Sequence, residues 1–317
     1  MKASIVIATK DRKDDLRRAI ISAVGQTVPV EVLVLDDGST DCTANMVSSE
    51  FPQVRLDRTL DAIGYLAQRN RGALLCTGEI IFSIDDDAEF STPRVVEQTL
   101  AEFSHPRIAA VAIPYIEPHK SQREFQRAPH ANAIWLTDSF RGTAHALRRE
   151  VFLALGGYRD RLIHQGEEMD FCIRLLNNGF VVRLGFGDAI IHNEFPMRDR
   201  HRMDYYGRRN DILFAWQNVP TPYLPVHLLA TTFNGLMVAV RQKTPYPMIR
   251  GMVSGYSDIL HKQHRAPVSR NTYSLYRLLK KRGPKMLTDL EPFLPPVVSL
   301  SLAEETCSEK KLRRVVR

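Results

Sequence analysis

Ile80-Ile-Phe-Ser-Ile-Asp-Asp-Asp87 decides the fold. An apolar run long enough for one buried strand stops at three consecutive carboxylates. Without polar alternation, such a run reads as a strand inside a parallel sheet, covered on both faces. Three acids at its carboxyl end repel one another unless a cation lies between them. Hard oxygen ligands suit Mg2+ or Mn2+, and open α/β sheets bind ligands at the carboxyl ends of their strands. The same triplet also fits a turn of solvated acids, and its surroundings must decide.

Outward from this strand the chain alternates. Ala3 to Thr9 reads as a strand, and Leu16, Ala19, Ile20, Ala23 and Val24 mark one face of a helix closed by Gly25. Val30 to Leu35 is a second strand, ending at Asp36-Asp37-Gly38-Ser39. A helix from about Thr40 to Glu50, a short strand near Val54 to Leu56 and a helix from Tyr65 to Cys76 complete the approach to Ile80. Thr92-Pro93 supplies an N-cap and first-turn proline for a helix reaching Phe103. Ala109 to Ile113 closes the series. Repeated βαβ units predict an α/β fold, a mostly parallel sheet flanked by helices.

Between Pro114 and Phe140 the periodicity disappears, which reads as a binding loop. Order returns at Thr143 to Leu147 and in a short helix from Arg149 to Gly156-Gly157. Glu167-Glu168-Met169-Asp170 opens a helix that stops at Gly179. Val181 to Leu184 and Ala189 to Ile191 read as strands, with His192 directly after the second. From Asp204 the chain reads as helical and basic, so residues 1–210 are expected to form the α/β domain and 211–317 a helical extension.

Of 317 residues 44% are hydrophobic, enough for a substantial core. Cys42, Cys76, Cys172 and Cys307 have no paired short spacing, so neither a disulfide framework nor a zinc site is expected. The first three fall in elements that look helical and read as buried thiols. Met1 to Thr9 is too short an apolar stretch for a signal peptide and runs into Lys10-Asp-Arg-Lys13, so a cytoplasmic protein is expected. The net charge of +7 gathers towards the C-terminal third, at Lys280-Lys-Arg282 and Lys310-Lys-Leu-Arg-Arg314. No nucleic-acid-binding signature accompanies it, which disfavours that partner.

Three acidic groups now converge: Asp36-Asp37, Asp85 to Asp87, and Glu167-Glu168 at a helix N-terminus, where carboxylates are also simply good electrostatics. Thr9-Lys-Asp11, Asp36-Asp37-Gly-Ser-Thr-Asp41, Arg69-Asn70-Arg-Gly72, Asp85-Asp-Asp87, Gly157-Tyr and Gly166-Glu-Glu-Met-Asp170 follow one another in this order. Over roughly residues 1 to 210 the chain thereby resembles the family-two inverting glycosyltransferases. The resemblance implies the GT-A fold and a nucleotide-activated sugar donor.

Position by position, it implies nucleotide-sugar contacts at Thr9, Asp11, Asp36, Arg69, Asp85 and Asp86. Arg69 reads equally well as a helix-surface arginine. Asp87 and His192 are implied as ligands of a divalent Mn2+ or Mg2+, although a lone histidine after a strand is usually just polar. Glu168 is implied as the base that takes the acceptor proton. The family usually has Glu-Asp where this chain has Glu167-Glu168, so either could serve, and a catalytically inactive nucleotide-sugar-binding module stays open. Asp170 is expected to cap the helix or orient its neighbours. UDP is the default carrier, and Tyr205-Tyr206 with Arg209-Asn210 resembles bacterial rhamnosyl- and galactofuranosyl-type members, which implies a dTDP-sugar as the alternative.

A dinucleotide-dependent dehydrogenase or a nucleotidyltransferase would need a glycine-rich turn after the first strand, and Thr9-Lys-Asp-Arg12 has none. From Ile212 to Val240 there is no charged side chain, but Gln217, Asn218, three prolines, His227 and Asn234 argue against a spanning helix. A buried or interfacial helix is expected instead. Basic residues after it make peripheral contact with an anionic membrane possible, with a glycan or lipid-linked acceptor.

Overall fold

The computed structural model describes residues 1–194, 199–242, 244–261 and 265–299. Cys307, Lys243 and the run Lys310 to Arg314 lie outside them. In chain order, β1 (Ala3–Thr9), α1 (Lys13–Val24), β2 (Val30–Asp37), α2 (Thr43–Glu50), β3 (Arg55–Thr59), α3 (Tyr65–Leu75) and β4 (Ile80–Asp85) build the first half. Strands β4, β1, β2 and β3 lie side by side and all parallel. Ile5, Ile7, Ile80 and Phe82 are buried from both faces, as an unbroken apolar run requires. Each such side chain contributes roughly 1.5–3 kcal/mol of burial. Helix α3 reaches the sheet through Gly72, where a Cβ would come within 2.5 Å of Val6 Cγ1.

The second half departs from the parallel pattern. It contains β5 (Ala88–Phe90), α4 (Val95–Ala101), β6 (Ile108–Ala112), β7 (Tyr115–Glu117), β8 (Ser121–Phe125), β9 (Trp135–Thr137), β10 (His145–Arg148) and α5 (Arg149–Ala154). They are followed by α6 (Glu167–Asn177), β11 (Val181–Leu184) and β12 (Ile190–His192). Strand β10 runs antiparallel between β4 and β6, and β11 is parallel to β6 but antiparallel to β9. The stretch 114–140 is therefore not one irregular loop. Strands β7 and β8 join β5 and β12 in a second sheet of order β5-β12-β7-β8, while β9 extends the main sheet. Helix α4 runs from Val95 to Ala101 rather than from Pro93 to Phe103, and Thr92 donates to Asp188 at 2.6 Å while accepting from the Arg94 amide at 3.2 Å.

The remainder is helical: α7 (Arg200–Asn218), α8 (Leu224–Gln242), α9 (Pro245–Leu260) and α10 (Arg270–Arg282), then β13 (Lys285–Met286) and α11 (Leu287–Leu290). The boundary expected at 210 falls inside α7, and β13 pairs with β9 at the edge of the main sheet. Helix α10 is capped by Ser269, which accepts from the Thr272 amide, and it buries Tyr273, Leu275, Tyr276 and Leu279. Its last turn holds Lys280, Lys281 and Arg282, where cations offset the helix dipole. Cys76 and Cys172 are buried, whereas Cys42 is exposed just before α2 with φ 66°, so it is no core thiol.

Candidate active site

Strand pairing brings the acids together. Register places Thr9 beside Asp36 and Ala8 beside Asp85, so the carboxyl ends of β1, β2 and β4 form one rim. The second sheet then delivers His192. Strand β12 pairs antiparallel with β5, setting His192 opposite Ala88, and the Asn193 amide donates to the Asp87 carbonyl at 2.8 Å. His192 is thus the last residue of a strand rather than the residue after one. Its Nε2 lies 3.4 Å from Asp87 Oδ1 and 4.0 Å from Asp85 Oδ2.

Asp85, Asp87 and His192 each offer a ligand atom, and these atoms all lie within 4.8 Å of one another. Asp87 Oδ1 is buried and makes no well-directed hydrogen bond, a costly state that a bound cation would relieve. Two carboxylates and an imidazole suit Mn2+ or Mg2+, so the residues present fit the implied ion. Burial works against the Asp87 charge, but His192 and Arg12 beside it hold its carboxyl down to about 2.

Asp86 faces the other way. Its Oδ2 accepts from Thr9 Oγ1 at 2.8 Å and its Oδ1 from Arg12 Nη1 at 3.0 Å. Burial pushes its carboxyl up to about 7. Arg12 also donates to Asp87 Oδ2 at 3.1 Å, so a guanidinium tethered at the start of α1 already neutralises part of the cluster. Arg12 adjoins the Thr9-Lys-Asp11 motif but was not among the expected site residues.

At the end of β2, Asp36 is fully buried, accepting from the Ser39 amide at 2.8 Å with Arg58 Nε 3.3 Å from its other oxygen. Asp37 accepts from the Ile63 amide, the Gly64 amide and Gln68 Nε2, which fixes the start of α3. Asp11 has φ 51° and accepts from the Thr40 amide at 2.6 Å, tying the β1–α1 turn to the β2–α2 turn. Asp tolerates that left-handed conformation better than most residues.

Arg69 is no surface arginine. It is buried, donates to Asp85 Oδ1 at 2.6 Å and to the Gly142 carbonyl at 3.0 Å, and lies 3.6 Å from Glu167. Burial opposes its charge, and Asp85 and Glu167 more than offset this, raising its pKa further. It thereby links the metal-type cluster to the paired glutamates.

Those glutamates open α6 after Gly166, whose φ of 87° permits the sharp turn into the helix. Glu167 is buried, accepting from Tyr65 Oη at 2.8 Å. Glu168 is only half-buried and accepts from the Gly142 amide at 3.1 Å. Asp170 is buried in a net of Arg159, Arg174 and Asn218, orienting its neighbours as expected. Tyr65 and Gly142, remote in sequence, carried no signal that could have revealed them.

Burial, with Glu168 adjacent, pushes the Glu167 carboxyl from 4.5 to about 8. A carboxyl with a raised folded-state pKa holds a proton that the unfolded chain releases, so stability falls as pH rises from 4.5 to about 8. Glu167→Gln removes this loss. It should raise stability, and with it the melting temperature, by an amount that grows between pH 5 and pH 8 and reaches on the order of 1–3 kcal/mol in free energy at the upper end. Thermal melts across that range check it; a pH-independent loss of stability would contradict it.

Residues 4–159 match the family model described as glycosyl transferase family 2. The chain is 26% identical over 224 residues to the O-antigen biosynthesis protein RfbC of Myxococcus xanthus, covering 62% of this chain and 18% of that protein. It is 29% identical over 203 residues to the pre-mycofactocin glycosyltransferase of Mycobacterium tuberculosis, covering 57% of this chain and 40% of that one. The chain thus spans less than half the length of either relative. The mannosyltransferase PcManGT from Pyrobaculum calidifontis, solved in complex with GDP-Man and Mn2+, superposes with a TM-score of 0.57 at 16% identity. That match covers 99% of this chain and 86% of the other, and the shared fold is GT-A. Through residues 4–159, the chain belongs to glycosyl transferase family 2.

Proposed function

We propose that the protein is a metal-dependent inverting glycosyltransferase that moves a sugar from a nucleotide-diphosphate donor to an acceptor hydroxyl. The observation that carries this reading is the Asp85–Asp87–His192 cluster, joined through Arg69 to Glu167 and lying at the same rim as Thr9 and Asp36. The Pyrobaculum mannosyltransferase, whose complex holds GDP-Man and Mn2+, supports the same ligand class. UDP or dTDP remains the expected carrier, and the Myxococcus relative's name supports a role in cell-surface polysaccharide or glycolipid synthesis.

In this reading Asp85, Asp87 and His192 hold the ion, and Asp36, Asp11 and Thr9 lie on the nucleoside side. The bound ion supplies Lewis-acid stabilisation of the diphosphate leaving group. Glu168 accepts the proton of the acceptor hydroxyl as its oxygen attacks the anomeric carbon from the face opposite the nucleotide. The new C–O bond forms as the bond to the diphosphate breaks, its electron pair leaving with the phosphate oxygen, and the anomeric centre inverts. Glu168 suits this role better than Glu167, because it is less buried and is not held by Tyr65 and Arg69. Asp86 serves to hold Thr9 and Arg12. Incubation with UDP-, dTDP- and GDP-sugars plus Mn2+, with the product's anomeric configuration read by NMR, tests the reading. Inverted product is expected; retained configuration would overturn inversion, and tight binding without transfer or hydrolysis would favour the inactive binding module.

The helical region from α7 onward is the part that would meet the acceptor's surroundings. Helix α8 leaves Val226, Leu229, Phe233, Leu236 and Val240 exposed along one stripe, and α9 adds Tyr246, Val253 and Leu260. Thr221–Gln242 is long and apolar enough to cross a membrane, and only 17% of its apolar 18-residue window is buried. Length and composition alone are weak grounds for a span. The stripe, flanked by exposed Arg241 and Arg250, supports peripheral attachment to an anionic membrane, on the cytoplasmic face. Sedimentation with anionic vesicles should carry the protein down at low salt and release it at high salt. Phe233→Glu with Leu229→Glu should abolish this. Binding unchanged in that variant, or self-association in place of vesicle binding, would remove the membrane from the account.

A further inference from the structure

Beyond the ligands themselves, we infer that Glu117 is the positioning residue that aims His192 at the metal. The inference rests on the metal reading above. Glu117 ends β7, in the stretch where sequence periodicity disappears. Strand β7 runs parallel to β12 with Tyr115 beside Ile190 and Ile116 beside Ile191, so the next step along both strands brings Glu117 beside His192. There its Oε1 lies 3.2 Å from His192 Nδ1. Both side chains are buried, at 7% and 3% exposure, so bulk water does not compete for this contact.

The chemistry follows from what each atom can do. A carboxylate accepts, so His192 Nδ1 carries a proton and donates it to Glu117. Nε2 then faces Asp87 Oδ1, 3.4 Å away, and Asp85 Oδ2, 4.0 Å away, on the side where the ion would bind. A carboxylate behind an imidazole fixes ring orientation and tautomer and makes the ligating nitrogen more basic. Glu117 is itself held: Lys120 Nζ lies 3.5 Å from its Oε2, and Lys120 also pairs with Glu194. The second sheet thus supplies both the imidazole and the group that aims it.

Mn2+ binding followed by electron paramagnetic resonance, with the tautomer of His192 read by 15N NMR on metal-free protein, tests this. The His192→Ala spectrum identifies the signal among the ten histidines. Glu117→Ala should weaken Mn2+ binding by roughly 10- to 100-fold and move His192 away from the Nδ1–H tautomer. Glu117→Gln, which keeps an acceptor oxygen, should restore the tautomer and most of the affinity. If alanine destabilises the sheet, Glu117→Met fills the space without an acceptor and should behave as alanine was expected to. Wild-type affinity and tautomer in a folded alanine or methionine variant would overturn the inference alone. A wild-type protein that takes up no Mn2+ would overturn the metal site, and the inference with it.

Discussion

Glu168→Gln should lower turnover by roughly 100-fold or more while leaving donor affinity near wild type, the usual scale for loss of a general base. The amide keeps the shape and can still accept from the Gly142 amide, now 3.1 Å from Glu168 Oε1, so the local fold should persist. What disappears is the capacity to take a proton. Glu167→Gln should affect turnover far less, because burial already favours the protonated form of that carboxyl near neutral pH. Steady-state kinetics with the cognate donor, alongside calorimetric donor binding, separate the two effects. A larger loss of turnover in Glu167→Gln would exchange the roles within the pair. Unchanged turnover in both would favour a base supplied from elsewhere.

Asp87→Ala should abolish metal-dependent binding of the nucleotide diphosphate. Asp87 stands between Arg12 on one oxygen and His192 on the other, so its removal takes away a ligand and leaves the Arg12 guanidinium with one carboxylate fewer. His192→Ala should weaken binding without abolishing it, since Asp85 and Asp87 remain. Titration of UDP in the presence of Mn2+ measures both. Full affinity in Asp87→Ala would remove the ion from this site.

The first half of the fold was legible because each apolar run there ends at a residue that stops it. Gly25 closes α1, Asp36-Asp37 ends β2 and Asp85 ends β4, and local pattern coincides with tertiary structure. Residues 114–140 were not legible. Strands β7 to β9 are only three to five residues long; β7 and β9 take their places from pairing with distant β12, β11 and β13, and β8 pairs with β7. Periodicity in so short a strand is too weak to read, and long-range pairing leaves no local trace. Glu117 was lost with that stretch.

The candidate site divides in the same way. Asp87 and His192 carried a signal, as an acid after an apolar run and a histidine following a strand, whereas Asp85, expected to contact the nucleotide sugar, lies in the same cluster. Arg69 was ambiguous, because a lone helical arginine gives no sign of whether it is buried. Its partners Asp85, Gly142 and Glu167 come from three different segments. Asp86 was grouped with its neighbours, yet β4 ends at Asp85 and Asp86 lies in the turn before β5. Its carboxylate turns towards Thr9 and Arg12 while Asp85 and Asp87 share the other side with His192.

The most direct test of a metal-dependent site at these strand ends is anomalous diffraction at the manganese edge, from crystals grown with Mn2+ and UDP. A peak is expected about 2.1 Å from a carboxylate oxygen of Asp87 and near His192 Nε2, with the diphosphate completing its coordination. Diphosphate bound in the same cleft with no anomalous peak beside Asp85, Asp87 and His192 would contradict a metal-dependent site.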